Sequence, residues 1–319
     1  MKKFLAAAII ASNLFLMPAV NAEVKTYEGI GEYQMSDFET PDTAKQRAKQ
    51  RAEQNACEKA GVFVESNTEV VNMMVTKDEI FTMTGGILKI VNVEYERKII
   101  DKDSTLIIAK VTADIDSDDI DKWLNRDTSE RSDAVEKNLE LQRAIDEQNK
   151  QIAELKSKLA AAESKQEQKE ISAQIIAEDK TFLSTQQMEE AMKFYYQGDL
   201  TGAAPYCTRA IELNPDNAMA YSIRGVIFYR QKDYNSAISD FNRAIQLNSS
   251  DYKNFYNRGL AHVQLKDYRA ASEDFSGAIN LNPNDPDSWY NRAICKQRLG
   301  DYYGSREDLD QARSLGYNG

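Results

Sequence analysis

Residues 252–285 read YKNFYNRGLAHVQLKDYRAASEDFSGAINLNPND, and the same pattern stands 34 residues earlier and 34 later. Tyr221, Phe255 and Trp289 are in phase, as are Gly225, Gly259 and Ala293, and Ala237, Ala271 and Ser305. Phe241, Phe275 and Leu309 keep the period too, with Ala244, Ala278 and Ala312 behind them. A period of this length belongs to a unit that cannot bury its apolar face alone and stacks on copies of itself. Counting back from Pro283 and Pro215 gives four units: 184–217, 218–251, 252–285 and 286–319. Each is expected to hold a first helix, a turn at Gly198-Asp199, Lys232-Asp233, Lys266-Asp267 or Gly300-Asp301, and a second helix. Small residues mark the close helix crossings, and aromatic ones fill the gaps between helix pairs.

These residues resemble the tetratricopeptide repeat family over 136 of the 319 residues. The resemblance implies an all-α solenoid of helix pairs that holds other proteins. Two features depart from it: Ser249 stands where a proline is expected, and Gln187 and Glu190 replace large and apolar residues in the first unit. In the family the concave face is formed by fixed positions of the first helices. Here these positions select Met188, Met192, Tyr195 and Tyr196, then Ile223, Tyr229 and Arg230, then Tyr256, Asn257, Leu260 and Gln264, then Tyr290, Asn291 and Arg298. The partner-binding candidates among them are Tyr195, Tyr229, Arg230, Tyr256, Asn257, Gln264, Tyr290, Asn291 and Arg298, because aromatic residues and arginine anchor protein interfaces. Asn257 and Asn291 are 34 apart and are expected to act as two rungs toward an extended peptide backbone. The competing reading packs several of these tyrosines within the stack. The carboxylate clamp of chaperone-binding members is not matched, since Met188 and Met192 stand where its lysine and asparagine would be.

The ends of the array differ from its middle. Ile211, Ile245 and Ile279 recur in the second helices, but the fourth unit has Arg313 there, as expected of a stack that stops with a polar outer face. Cys207 takes the place of Phe241 and Phe275 and reads as a small core residue. Arg224, Arg258 and Arg292 share one repeat position and Asp240, Asp274 and Asp308 another, which predicts salt bridges that orient helices.

Upstream lie three further segments. Residues 1–22 carry Lys2 and Lys3, an apolar run from Phe4 to Val20 and small residues at its end, the pattern of a cleavable secretory signal too short to span a membrane. An exported, periplasmic protein with no stable membrane span is expected. Without those lysines the formal net charge of −11 becomes −13, which argues against nucleic acid as a partner. The basic run Lys45, Arg47, Lys49 and Arg51 is interleaved with acids and reads as a solvated helix face.

Residues 23–126 alternate between strand and helix periods and predict a small α+β domain. Strands are expected over 24–33, 63–75, 88–99 and 105–113. A helix starts at Pro41, carries the stripe Ala44, Ala48, Ala52, Ala56 and Ala60, and ends at Gly61; short helices follow at 78–83 and 117–124. Gly29-Ile30-Gly31 reads as a bulge in a strand and not as a phosphate cradle, because no helix starts after it. Gly29-Ile30-Gly31, the alanine helix, and the strand and hairpin after it together resemble the twenty-kilodalton surface lipoprotein family and the N-terminal domain of flagellar assembly protein T. This likeness implies an envelope location.

Residues 127–183 predict a coiled-coil or helical linker. Ile145, Ile152 and Leu159 share one heptad position and Leu141, Leu155 and Ala162 the other, with Asn138 and Gln148 as polar members. Residues 132–165 therefore read as an oligomerising stalk, or as a single charged helix between domains. Lys156, Lys158 and Lys165 show no obvious acidic partners.

The expected architecture is multi-domain: an α+β domain, a helical linker and an all-α repeat solenoid. One histidine and three scattered cysteines supply neither a catalytic triad, nor a metal site, nor a disulfide framework. The acids Asp114, Asp116, Asp118, Asp119 and Asp121 lie at a helix start, where acids cap and stabilise. No enzyme, cofactor or metal is expected. The leading reading is an exported protein-interaction adaptor of the cell envelope that takes a peptide or helix of another envelope protein in the concave groove. The alternative is a structural part of an envelope or flagellar assembly, and the outsider is a ligand-binding or enzymatic N-terminal domain.

Overall fold

A computed structural model describes residues 23–35, 39–70, 75–101, 104–126 and 128–317. The expected signal, residues 1–22, lies outside the described residues.

The N-terminal domain is a three-stranded antiparallel sheet of order β1-β3-β2, made of β1 (Val24–Met35), β2 (Lys89–Asp101) and β3 (Ser104–Asp116). Helix α1 (Pro41–Val70) lies on it through its alanine stripe, all five residues fully buried, with Ala44, Ala48 and Ala52 against Ile107, Ala109, Val111 and Ala113. Gly29 and Gly31 are not bulged: they pair in register with Val111 and Ala109. They are glycines because the helix backbone comes too close for any side chain. A Cβ on Gly29 would stand 1.8 Å from the Ala52 carbonyl oxygen, and one on Gly31 2.1 Å from that of Ala48.

Two local expectations are corrected. The helix does not end at Gly61, and the segment from Phe63 to Val70 is helical, not a strand; residues 71–74 lie outside the described residues. Phe63 and Val64 are buried with Met83, Ile87, Ile115 and Trp123, a second small core closed by α2 (Lys77–Ile87) and α3 (Ser117–Leu124). Burying two apolar side chains at about 1.5–3 kcal/mol each outweighs the roughly 1 kcal/mol that a mid-helix glycine costs.

Helices α4 (Thr128–Ala161) and α5 (Lys165–Tyr196) form an antiparallel hairpin, and the coiled-coil seam is spent inside this chain. Ile152, Leu155 and Leu159 of α4 pack on Ile171 and Ile175 of α5, while Leu141 packs near Met188 and Met192. The polar seam members also bond within the chain: Asn138 donates to Thr82 (3.2 Å) and Gln148 to Thr185 (2.9 Å), while Oε1 of Gln148 is buried without a hydrogen-bond partner among the described residues. The heptad pattern thus finds a second helix in α5 of the same chain. Since α5 runs unbroken into the first helix of unit one, linker and solenoid share one rod.

Arg47 corrects the reading of a solvated basic face, for it is 1% exposed. Its guanidinium sits over the Phe182 ring at 3.9 Å, donates to Asp179 (3.1 Å) and to Asn149 (2.9 Å), and lies 4.0 Å from Glu39. Lys156 does have an acid, Glu39, at 2.7 Å, and also donates to the Tyr33 hydroxyl. Sheet, α1, α4 and α5 are joined through this ionic knot. Burial first of all holds the Lys156 ammonium below its usual range and pushes the Asp179 carboxyl up to about 6, against the lowering effect of Arg47.

The remaining helices pair as expected: α6 (Leu200–Leu213) with the end of α5, α7 (Ala218–Arg230) with α8 (Tyr234–Leu247), α9 (Tyr252–Gln264) with α10 (Tyr268–Leu281), and α11 (Pro286–Arg298) with α12 (Tyr302–Ser314). Each turn has one construction. Gly198, Lys232, Lys266 and Gly300 take φ of 81, 66, 64 and 87°. The aspartate that follows, Asp199, Asp233, Asp267 or Asp301, caps the next helix from its side chain. Between units Asn214, Asn248 and Asn282 each accept from the backbone two residues on, so Ser249 replaces proline without loss of the turn.

Within each pair the aromatic and small positions interlock. A Cβ on Gly225 or Gly259 would fall 2.8 or 2.9 Å from the fully buried Phe241 or Phe275 ring. Cys207 fills the equivalent space in unit one, fully buried, its thiol pushed up to about 12 by burial. Arg313 is exposed, so the last helix does present a polar face.

Candidate functional site

Expected salt bridges frame the solenoid. Arg224 grips Asp240 with Nε and Nη2 at 2.7 and 2.9 Å, and Arg258–Asp274 and Arg292–Asp308 repeat the arrangement. His262 lies beside one of these frames, its Nε2 3.8 Å from Asp274. Among the described residues no group of histidine, cysteine and acidic side chains is arranged to hold a metal ion.

The concave side opens into a cleft of about 830 Å³. Tyr195, Tyr196, Arg230, Tyr256 and Asn257 line it, all selected by repeat position. Its opposite wall is the start of α4 and the residues before it, with Arg126, Thr128, Ser132, Asp133 and Glu136. Lys253 bridges the walls, donating to Asp133 at 2.9 Å and Glu136 at 2.6 Å, and the Tyr196 hydroxyl donates to Asp133 at 3.2 Å. Burial pulls the Lys253 ammonium down, and the hydrogen bonds to Glu136 and Asp133 outweigh it, so it stays charged. Burial first, then Asp133, holds the Tyr196 hydroxyl above its usual range. The Arg230 guanidinium lies 5.1 Å from the Tyr195 ring, giving the cleft a cationic and aromatic corner. At the far end stand Asp285 and Asp287, the latter raised by burial and by Asp285.

The other sequence-selected residues are placed elsewhere. Met188, Met192 and Ile223 are core residues, and Leu260 packs against the Ala271–Phe275–Cys295 cluster. Tyr229 tilts against Tyr234, whose hydroxyl donates to Gln264 at 3.5 Å, a local group beyond the cleft lining. Tyr290 is covered by Tyr317, the rings stacked at 4.2 Å. The expected second asparagine rung is spent: Asn291 donates to the Tyr256 hydroxyl (3.2 Å) and to the Asp287 carbonyl (2.9 Å). Arg298 is exposed at the end of α11, outside the cleft. The sequence reading missed the α4 wall, Tyr252 and Lys253. Lys253 is the second residue of its unit, a position within the family's lining set, and so was findable.

Tetratricopeptide repeat families match residues 188–252, 252–285 and 275–307. A comparison with curated proteins found no match. Among solved structures, the crystal structure of MamA is 18% identical, with 45% of this chain and 83% of that one covered at a TM-score of 0.41. MamA 41-end from Desulfovibrio magneticus RS-1 is 17% identical, with 46% and 89% covered at 0.40. The first repeat domain of Spaghetti (RPAP3) bound to an HSP90 peptide is 26% identical, with 38% and 95% covered at 0.37. The periodic residues, the four like turns and the family matches agree, and residues 188–307 of the chain are tetratricopeptide repeats.

Proposed function

We propose that this chain is an exported protein-interaction adaptor whose concave cleft receives a peptide or helix of another protein of the cell envelope. The observation that carries the reading is the cleft itself, about 830 Å³, walled by Tyr195, Tyr196, Tyr252, Tyr256, Asn257 and Arg230. Tyrosine gives contact area at small cost in side-chain entropy, arginine is enriched where binding energy concentrates, and Asn257 in the lining carries an amide able to meet a backbone. The apolar run and small residues of 1–22 support export. Among the described residues no helix is long and apolar enough to cross a membrane.

Photo-crosslinking in intact cells tests the reading. A crosslinking residue at Asn257 is expected to trap a specific partner, one at exposed Arg269 of α10, outside the cleft lining, is not, and Arg230→Ala with Tyr256→Phe, which keeps the ring packed on Phe275, is expected to remove the product at unchanged fold. Equal products from both positions, or a product that survives the double variant, would overturn it.

A further inference from the structure

A second cavity lies where the N-terminal domain meets the helical hairpin, with Tyr196 standing between it and the concave cleft. We propose that it binds a small organic cation, a primary alkylammonium with a short apolar tail. The cavity is about 120 Å³, the size that holds a small ring or a short chain. Phe81, Leu88, Leu141 and Met192 give it an apolar lining.

Gly85 and Gly86 keep the space open. Both lie inside α2, where glycine weakens a helix relative to alanine, and neither is needed for a close backbone approach. A Cβ on Gly86 meets nothing within 4 Å, and one on Gly85 meets only the Cys57 sulfur at 4.0 Å. Side chains at these two positions would fill the cavity.

Charge decides the ligand class. Lys49 of α1 is paired with Glu53 at 2.9 Å, and Lys193 of α5 with Glu190 at 3.0 Å. Glu189, which lines the cavity, has no hydrogen bond or ion pair among the described residues. Cys57 and Tyr196, also lining, are held neutral by burial, and Gln142 faces in from α4 without charge. The five charged groups around the cavity thus sum to one negative charge, on a carboxyl that burial pushes up to about 7 against the lowering effect of Lys193. An ammonium seated at Glu189 neutralises the group while its tail covers the apolar lining; an anion is repelled.

The test uses the purified full chain and n-pentylammonium chloride, followed by calorimetry and ligand-observed NMR, with 1-pentanol, pentanoate and potassium chloride as controls. Saturable one-to-one binding is expected at pH 8. It weakens about tenfold at pH 6, because a carboxyl titrating near 7 then carries its proton in about nine molecules of ten. Glu189→Gln is expected to lose binding at least about tenfold. Gly86→Leu, which grows a side chain into the space and favours the helix, is expected to abolish binding without lowering the melting temperature. Absence of saturable binding, equal binding of pentanol or potassium, or affinity unchanged in both variants overturns the proposal.

Discussion

The Nζ of Lys253 lies 2.9 Å from Oδ1 of Asp133, a residue 120 positions earlier, so the third repeat unit is tied to the helix that leads out of the N-terminal domain. Glu136 takes the same ammonium at 2.6 Å. The concave side is therefore a cleft between α4 and the stack, not an open trough.

Because the three side chains are 29, 34 and 65% exposed, this tie is worth only about 1 kcal/mol or less. Lys253→Met is expected to leave global stability nearly unchanged and to speed amide exchange in the first turns of α4. Raised salt should mimic the variant. Unchanged exchange there would show that α4 is held by other contacts.

The Arg224–Asp240 pair behaves differently, being 18 and 8% exposed and doubly hydrogen-bonded. Truncating one partner leaves the other charge poorly solvated, so Asp240→Ala is expected to cost roughly 2–3 kcal/mol in urea unfolding. The double variant with Arg224→Ala should recover part of it. Simple additivity would show that the pair is not coupled.

What could be read in advance follows from the range of the interactions. The repeat units were legible because each turn and crossing is built from residues within one 34-residue period. Tyr195, Arg230, Tyr256 and Asn257 were legible for the same reason. A heptad seam, by contrast, states that a helix needs a partner but not which one; here α5 of the same chain packs on it. Arg47 was misread because charge along a helix carries no sign of what docks on it, and Phe182 and Asp179 lie more than 130 residues away. Tyr290 and Asn291 are outside the cleft lining and make contacts with Tyr317 and Tyr256 that repeat position alone does not encode.

Gly29 gives a third prediction. Its missing side chain lets the Ala52 carbonyl approach to 1.8 Å of where a Cβ would stand, and both neighbours are backbone that cannot turn aside. Gly29→Ala must lift α1 off the sheet, and is expected to cost about 3 kcal/mol or more, a value beyond ordinary surface changes. Gly86→Ala, with open space around its Cβ, is expected to stabilise by about 0.5–1 kcal/mol. Similar denaturation midpoints for the two variants would remove the close-approach explanation.

Asp179 supplies the pH dependence. Burial raises its pKa to about 6 in the folded chain, against about 3.9 for an unfolded aspartate, and Arg47 only partly offsets this. The folded state therefore binds the proton more tightly, and the stability this group contributes is present at low pH and lost as pH rises from about 4 through 6. Asp179→Asn cannot ionise and has no such loss. Relative to that variant, the wild type should lose stability between pH 4.5 and pH 6.5, seen as a falling difference between their urea midpoints. Replacing the carboxyl by an amide adds a pH-independent offset to that difference, so its slope, and not its size, reads the titration. A difference that stays flat across this window, or rises, would mean that the folded carboxyl is not held above its unfolded pKa.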